Sequence, residues 1–341
     1  MGTAILATLL QTYGGTGPLR TPAEILLGLA WLLLAGLGGG FAVRVLRRPE
    51  RLRASVGSPA TRAVWGTVAM GVLAVGSATL AVLPGRPSVL VALALWATGS
   101  VLGLVTAVGF TASLVRGTAG EPSFLWGLPV VPPMVSATVG AALVPHLAAH
   151  PGVAVALLVA SAGCFPVALV LGLVVFAVGY HHHWRVVPVP LAASASAWIP
   201  LGIVGQSVAA AQALASAATP SLTASAAAGL HSLAVGYGVV VIALGVPLVG
   251  WAVVVTVRGF ARRMPFAPGW WALTFPVGTV SLGLHHLGGA SGHASFVVAG
   301  GVVLAVLCGT WTLCAAATVH GVAWCRDPCR SALDSVAEDI L

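Results

Sequence analysis

Apolar runs separated by short polar or proline-rich connections occupy almost the whole chain. Most of these runs reach the roughly 20 residues that a helix needs to cross about 30 Å of hydrocarbon. The pattern therefore predicts ten membrane-spanning helices joined by short loops. The predicted spans cover residues 1–11, 23–46, 62–83, 88–115, 129–148, 152–179, 196–216, 226–254, 269–288 and 294–325.

The first predicted span, residues 1–11, is too short to cross the hydrocarbon layer. It starts at Met1 without the basic segment that opens a signal peptide. We therefore expect the native first helix to extend upstream of Met1. Residues 1–341 are expected to form a single polytopic membrane domain whose first helix is truncated.

The composition excludes a soluble domain. Of the 341 residues, 58% are hydrophobic and only 6% are charged, whereas soluble domains carry about 25% charged residues. The formal net charge of +8 would indicate nucleic acid in a soluble protein. In a chain this apolar it indicates an asymmetric charge distribution across a bilayer instead. We expect the lipid bilayer, and no nucleic acid, as a partner.

The basic residues are all arginines, and they are divided unevenly between the two sides of the predicted bundle. Only Arg20 and Arg86 lie in the odd-numbered connections, while thirteen arginines lie in the even-numbered connections and the C-terminal tail. Because cytoplasmic loops carry the excess of positive charge, this bias places both termini in the cytoplasm. The expected location is the plasma membrane, with multiple passes.

No Asp, Glu or Arg lies in the middle of a predicted span. Cation transporters and proton pumps usually carry such a residue within the membrane. A path through this chain must be lined by hydroxyls, backbone dipoles and aromatic rings. Helix N-termini offer partial positive charge without trapping an ion as a fixed arginine would. The pattern therefore favours a small anion as the cargo.

The segment GWWALTFPVGTVSLG, residues 269–283, places Pro276 inside an apolar span. Proline removes a backbone donor, so the helix must bend or break there. The hydroxyls of Thr274 and Thr279 are close enough in sequence to bond freed carbonyls, and Phe275 lies at the kink. A kinked packing helix with an aromatic anchor explains this segment equally well on its own.

Two further odd-numbered spans carry proline next to small or polar residues. Broken helices are tolerated in a membrane where they line a cavity or are buried in protein. These spans therefore contribute candidate pore-lining or kink residues, which are Pro132, Pro133, Ser136, Pro200, Gly202, Gly205 and Gln206.

These motifs resemble the tellurite-resistance/dicarboxylate transporter family, which includes malate permeases, sulfite exporters and plant slow anion channels. The resemblance rests on WWALTFPVGT in span nine, PVVPPMVSATVGA in span five, LGIVGQS in span seven and the opening MGTAILATLL. It implies an all-α integral membrane fold with ten transmembrane helices. These helices would form five helical hairpins around a pseudo-fivefold central pore, with kinked odd helices inside and even helices outside.

The same resemblance implies a transporter or channel, not an enzyme, that works as a homotrimer without a cofactor. It implies that Phe275 plugs an uncharged pore, and that Gly2 and Thr3 belong to its lining. Family members read MGTG where this chain reads MGTA. The implied cargo is a C4-dicarboxylate such as malate, sulfite, a tellurite-related oxyanion or a halide.

The ten histidines leave an alternative open, a membrane metalloprotein or redox enzyme. His285, His286 and His293 have the best spacing for a metal, but no acidic residue or cysteine stands beside them, so no metal site is predicted. These three side chains are instead candidate pH sensors, because histidine gains positive charge in mildly acidic medium. A structural membrane subunit without a path is a third hypothesis.

Overall fold

The computed structural model describes residues 1–324, and this part of the chain is helical without a strand. Its ten main helices agree with the predicted spans to within a few residues at most ends. They are α1 (Gly2–Gly14), α2 (Arg20–Arg47), α3 (Gly66–Val82), α4 (Arg86–Val115), α5 (Pro132–Leu143), α6 (Pro151–Arg185), α7 (Ile199–Ala218), α8 (Ala224–Ala261), α9 (Phe275–Ser291) and α10 (Ala294–Trp324). Two short helices, Pro49–Gly57 and Pro59–Arg62, connect α2 to α3.

The odd-numbered helices form the interior and the even-numbered helices the exterior. Nearly every residue of α5 is buried, whereas α2 and α8 expose most of theirs. Within the described residues, eight helical segments are long and apolar enough to cross a membrane, and α1 and α9 are not among them. A 3₁₀ segment, Pro268–Leu273, precedes α9 and lengthens its path.

The odd-numbered helices form a closed ring. Helix α1 contacts α3, α3 contacts α5, α5 contacts α7, α7 contacts α9, and α9 returns to α1. Each even-numbered helix packs against the odd helix of its own hairpin and against the odd helix of the next one. This repeated contact pattern agrees with the predicted arrangement of five hairpins about a pseudo-fivefold axis.

Three of the inner helices carry proline in their first turn. Pro132, Pro200 and Pro276 each stand in the first turn of an α-helix that follows a 3₁₀ turn or a bend. Proline is tolerated there because the first turn needs no backbone donor from it. The chain therefore changes from irregular or 3₁₀ backbone to α-helix partway along these inner paths.

Helices α7 and α9 touch through their backbones. A Cβ atom at Gly205 would overlap the backbone of Thr279, and one at Gly283 would lie 2.5 Å from the carbonyl oxygen of Gly205. Small residues of this kind allow close helix approach in membranes. The contact fixes how α9 presents its first turn to the interior.

Candidate functional site

A small cavity lies inside the ring and is lined by residues of all five odd-numbered helices. We refer to it as the axial cavity. The volume open to the centre of a water molecule is about 20 Å³, which is room for roughly one water. No charged side chain lines it. The lining residues are Ile5, Thr8, Ala74, Ser77, Val135, Thr138, Val139, Gln206, Phe275 and Leu282.

Phe275 is the largest side chain of this lining, and it is the first residue of α9. Its ring is only 5% exposed. Leu282, two helical turns further on, lies on the same face of α9 and also lines the cavity. With Ile5 and Val135 opposite, these side chains make the constriction largely apolar.

The backbone turn before Phe275 is held by local hydrogen bonds. The hydroxyl of Thr274 donates to the carbonyl of Trp271 over 2.7 Å. A Cβ atom at Gly2 would overlap the side chain of Thr274, so α1 approaches this turn closely. Gly2 therefore packs against this turn. It is not among the lining residues of the axial cavity.

Two tryptophans anchor the 3₁₀ segment that leads into this turn. The indole Nε1 of Trp270 donates to the carbonyl of Pro265 over 3.0 Å. The Nε1 of Trp271 donates to the hydroxyl oxygen of Thr318 on α10 over 3.1 Å. The bond from Trp271 ties the segment to α10, so the position of Phe275 is set from the outer ring as well as from α9.

The polar part of the axial cavity is a hydrogen-bonded pair. The amide Nε2 of Gln206 donates to the Thr138 hydroxyl oxygen over 2.8 Å, and that hydroxyl donates to the carbonyl of Met134 over 3.2 Å. The hydroxyl of Thr8 donates to the carbonyl of Ala4 over 3.1 Å. These donors are satisfied within the protein.

Most other predicted site residues of α5 and α9 lie behind the lining. The Ser136 hydroxyl donates to the carbonyl of Pro132 over 3.1 Å, and the indole of Trp96 on α4 donates to the carbonyl of Ser136 over 2.8 Å. The Thr279 hydroxyl donates to the carbonyl of Pro276 over 2.7 Å. These residues, with Pro133, shape and brace the inner helices.

Most of the predicted site residues of α1 and α7 also lie outside the lining of the axial cavity. Thr3 accepts a hydrogen bond from the indole of Trp311 on α10 over 3.1 Å, so its side chain faces the outer ring. A Cβ atom at Gly202 would be 3.9 Å from the side chain of Pro276. Gly202 and Gly205 thus belong to the contact between α7 and α9, and Pro200 is buried in the first turn of α7. Of the predicted residues, the axial cavity brings together Phe275 and Gln206.

The histidines lie away from the axial cavity. The ring of His285 packs edge-on against Tyr13, with centroids 4.6 Å apart, and 6.2 Å separates it from the ring of His286. His293 is exposed, with Nδ1 2.9 Å from the carbonyl of Ser291. Within residues 1–324, no group of three or more His, Cys, Asp or Glu side chains could hold a metal ion.

Sequence reasoning missed the lining residues of α1 and α3. Thr8 follows Ile5, and Ser77 follows Ala74, by one helical turn, so each pair shares one face of its helix. This spacing is a detectable signal, but it is common in any buried helix. Proline indicated spans five, seven and nine as candidates for the lining. Helix α3 contains no proline, so this signal could not identify it.

Residues 1–319 match the family model described as voltage-dependent anion channel. The chain belongs to the voltage-dependent anion channel family. This membership confirms the resemblance drawn from the motifs, because plant slow anion channels and dicarboxylate transporters form one superfamily in that resemblance. No curated protein matches the chain significantly.

Membership fixes the general class of activity. Members of the voltage-dependent anion channel family are channels or transporters of anions rather than enzymes. Family membership and the long apolar helices together indicate that the chain is a multi-pass membrane protein.

Proposed function

We propose that small anions cross the membrane along the axis of the five odd-numbered helices, and that Phe275 closes this path. The observation that carries the proposal is the axial cavity, which all five inner helices line and no charged side chain enters. A path bounded on every side by one closed ring needs no second subunit to complete it.

The size of the axial cavity supports a closed state. With about 20 Å³ available, it holds roughly one water and no hydrated ion. Apolar constrictions of this kind exclude ions by excluding water. Rotation of the Phe275 ring away from the axis would widen the cavity, because Phe275 is the largest lining side chain.

Uncharged groups are available to receive an anion once the path is open. Helices α5 and α9 begin at the level of the cavity, since Val135 is in the first turn of α5 and Phe275 opens α9. No side chain caps either N-terminus. The partial positive charge of these helix ends, with the amide of Gln206, favours an anion over a cation.

The proposed cargo is a C4-dicarboxylate such as malate, sulfite, a tellurite-related oxyanion or a halide. We also propose that the protein works as a homotrimer in the plasma membrane, with both termini in the cytoplasm.

Flux measurements on reconstituted protein test the proposal. Proteoliposomes are loaded with malate, sulfite or chloride, with and without a pH gradient, and compared with empty liposomes. We expect flux of at least one of these anions above the empty-liposome rate. Absence of flux for all three anions, in wild-type protein and in a folded Phe275→Ala variant, would refute an anion path.

The metalloprotein alternative finds little support in the geometry. His285 and His286 lie beside Tyr13, and they belong to no group of three or more His, Cys, Asp or Glu side chains within residues 1–324. An absorption spectrum and metal analysis of the purified protein would detect a haem or a bound transition metal.

A further inference from the structure

A second and larger cavity opens on one side of the ring, where α1, α3 and α5 end and α2 and α4 begin. Its volume of about 690 Å³ is within the roughly 300–1,000 Å³ typical of small-molecule sites. We refer to this cavity as the vestibule. The polar side chains that line it are Gln11, Arg20, Arg86, Ser88, His146 and His150.

The vestibule collects the positive charge of its side of the protein. Within residues 1–324, Arg20 and Arg86 are the two arginines found in the odd-numbered connections, and both line this cavity. Arg20 forms an ion pair with Glu24, from Nε to Oε1 over 2.9 Å. No ion pair joins Arg86 to a carboxylate in the described part of the chain.

Two helix N-termini add to this charge. Arg20 is the first residue of α2 and Arg86 the first residue of α4, and no side chain caps either helix. The hydroxyl of Ser88, in the first turn of α4, donates to the carbonyl of Gly85 over 2.7 Å. Uncapped backbone donors at a helix start favour an anion. The vestibule therefore combines two guanidinium groups, one of them paired with Glu24, with two helix ends.

The vestibule continues the axial cavity along two helices. On α1, Thr8 lines the axial cavity, and Gln11, one turn further along, lines the vestibule. On α3, Ser77 lines the axial cavity, and Leu80, one turn further along, lines the vestibule. One turn is about 5 Å of helix. An ion that enters the axial cavity from this side therefore comes close to Arg20 and Arg86.

We propose that the vestibule binds the transported anion before it enters the axial cavity, and that it selects carboxylates and oxyanions over halides. The selection follows from geometry, because a guanidinium group presents paired donors that match two oxygens of one carboxylate or oxyanion. A halide ion is a single acceptor atom, so it cannot receive two parallel, linear hydrogen bonds from this pair of donors. This inference rests on the proposed function and names the part of the path that sets its substrate class.

Side-specific recording tests the vestibule. In planar bilayers, malate, sulfite or chloride is added to one side at a time, and current is measured against concentration. We expect Arg20→Gln and Arg86→Gln each to raise the half-saturating malate concentration by roughly fivefold. The shift should occur only when malate is added on the vestibule side, and maximal current should be retained. The corresponding shift for chloride should be smaller.

Two control variants separate local binding from general charge. Arg258→Gln removes an exposed arginine from the last turn of α8, outside the vestibule, and should leave the half-saturating concentration unchanged. Glu24→Gln frees Arg20 from its partner and should lower the half-saturating malate concentration by roughly twofold. A uniform effect of every arginine variant would contradict the proposal, since it would indicate only surface potential.

A lipid headgroup could offer the same chemistry from another source. Melting temperatures in detergent with added malate or with added phosphatidylglycerol distinguish the two. Stabilisation by malate that the Arg20→Gln/Arg86→Gln double variant loses supports the proposal. Stabilisation by the lipid alone, with unchanged malate dependence of the current, would overturn it. If folded wild-type protein carries no current, the anion path is refuted. Stabilisation by malate in the same protein would still show that the vestibule binds an anion.

Discussion

At Phe275, two roles predict opposite results when the ring is removed. As a plug, the ring fills the axial cavity and its removal opens a path. As a packing residue alone, it would cost about 3–5 kcal/mol of stability on truncation, by analogy with water-soluble cores. Its 5% exposure is compatible with both roles, so the decision depends on flux.

Phe275→Ala should increase anion flux, and Phe275→Leu should increase it less, because leucine refills part of the cavity. Flux in proteoliposomes and melting temperature are measured for both variants. Phe110→Ala is the matched control, since Phe110 is 1% exposed and packs against Trp126 away from the axial cavity. That variant should lose stability without gaining flux. A folded Phe275→Ala protein with wild-type flux would place the gate elsewhere.

At the scale of helices, the sequence predicts where the inner paths change direction. Pro132, Pro200 and Pro276 each stand in the first turn of an α-helix, because proline fits there without loss of a backbone hydrogen bond. The bounds of the even helices follow from their long apolar runs. Hydropathy alone is enough to predict these outer helices, because their surfaces face lipid.

The lining of the axial cavity was harder to predict from the sequence. Ala74 and Ser77 reach the cavity only because α3 closes the ring between α1 and α5. Such long-range contacts leave no mark in local periodicity. Thr279 and Ser136 were plausible lining residues by their polarity, yet their hydroxyls bond carbonyls of their own helices. A polar residue within a membrane helix can line a path or bond a carbonyl of its own helix. Thr279 and Ser136 do the second.

The crossing of α7 and α9 is expected to tolerate no side chain at Gly205. Gly205→Val should lower the melting temperature and the yield of folded protein, because its side chain would overlap the backbone of Thr279. Gly250→Val is the control, since a Cβ atom at Gly250 on α8 meets nothing within 4 Å. Equal behaviour of the two variants would show that the close crossing is not required for folding.

At the scale of the whole molecule, the arginine distribution predicts that both termini are cytoplasmic. The last residue, Leu341, is outside the described residues, so orientation must be measured in cells. A reporter that is active only outside the cytoplasm should stay silent when fused after Leu341. The same reporter fused after Thr223, in the connection from α7 to α8, should be active. Activity after Leu341 would contradict the predicted orientation and the even number of spans.

The uncharged lining of the axial cavity has an electrical consequence. Moving one elementary charge through the membrane field changes the energy by about 2.3 kcal/mol per 100 mV. A phenyl ring carries no net charge, so its rotation would transfer no gating charge. We expect the open fraction of reconstituted channels to be nearly the same at about −100 and +100 mV, with current that depends on voltage through the ion alone. A steep change of open fraction between these potentials would require a charged element to move with the gate.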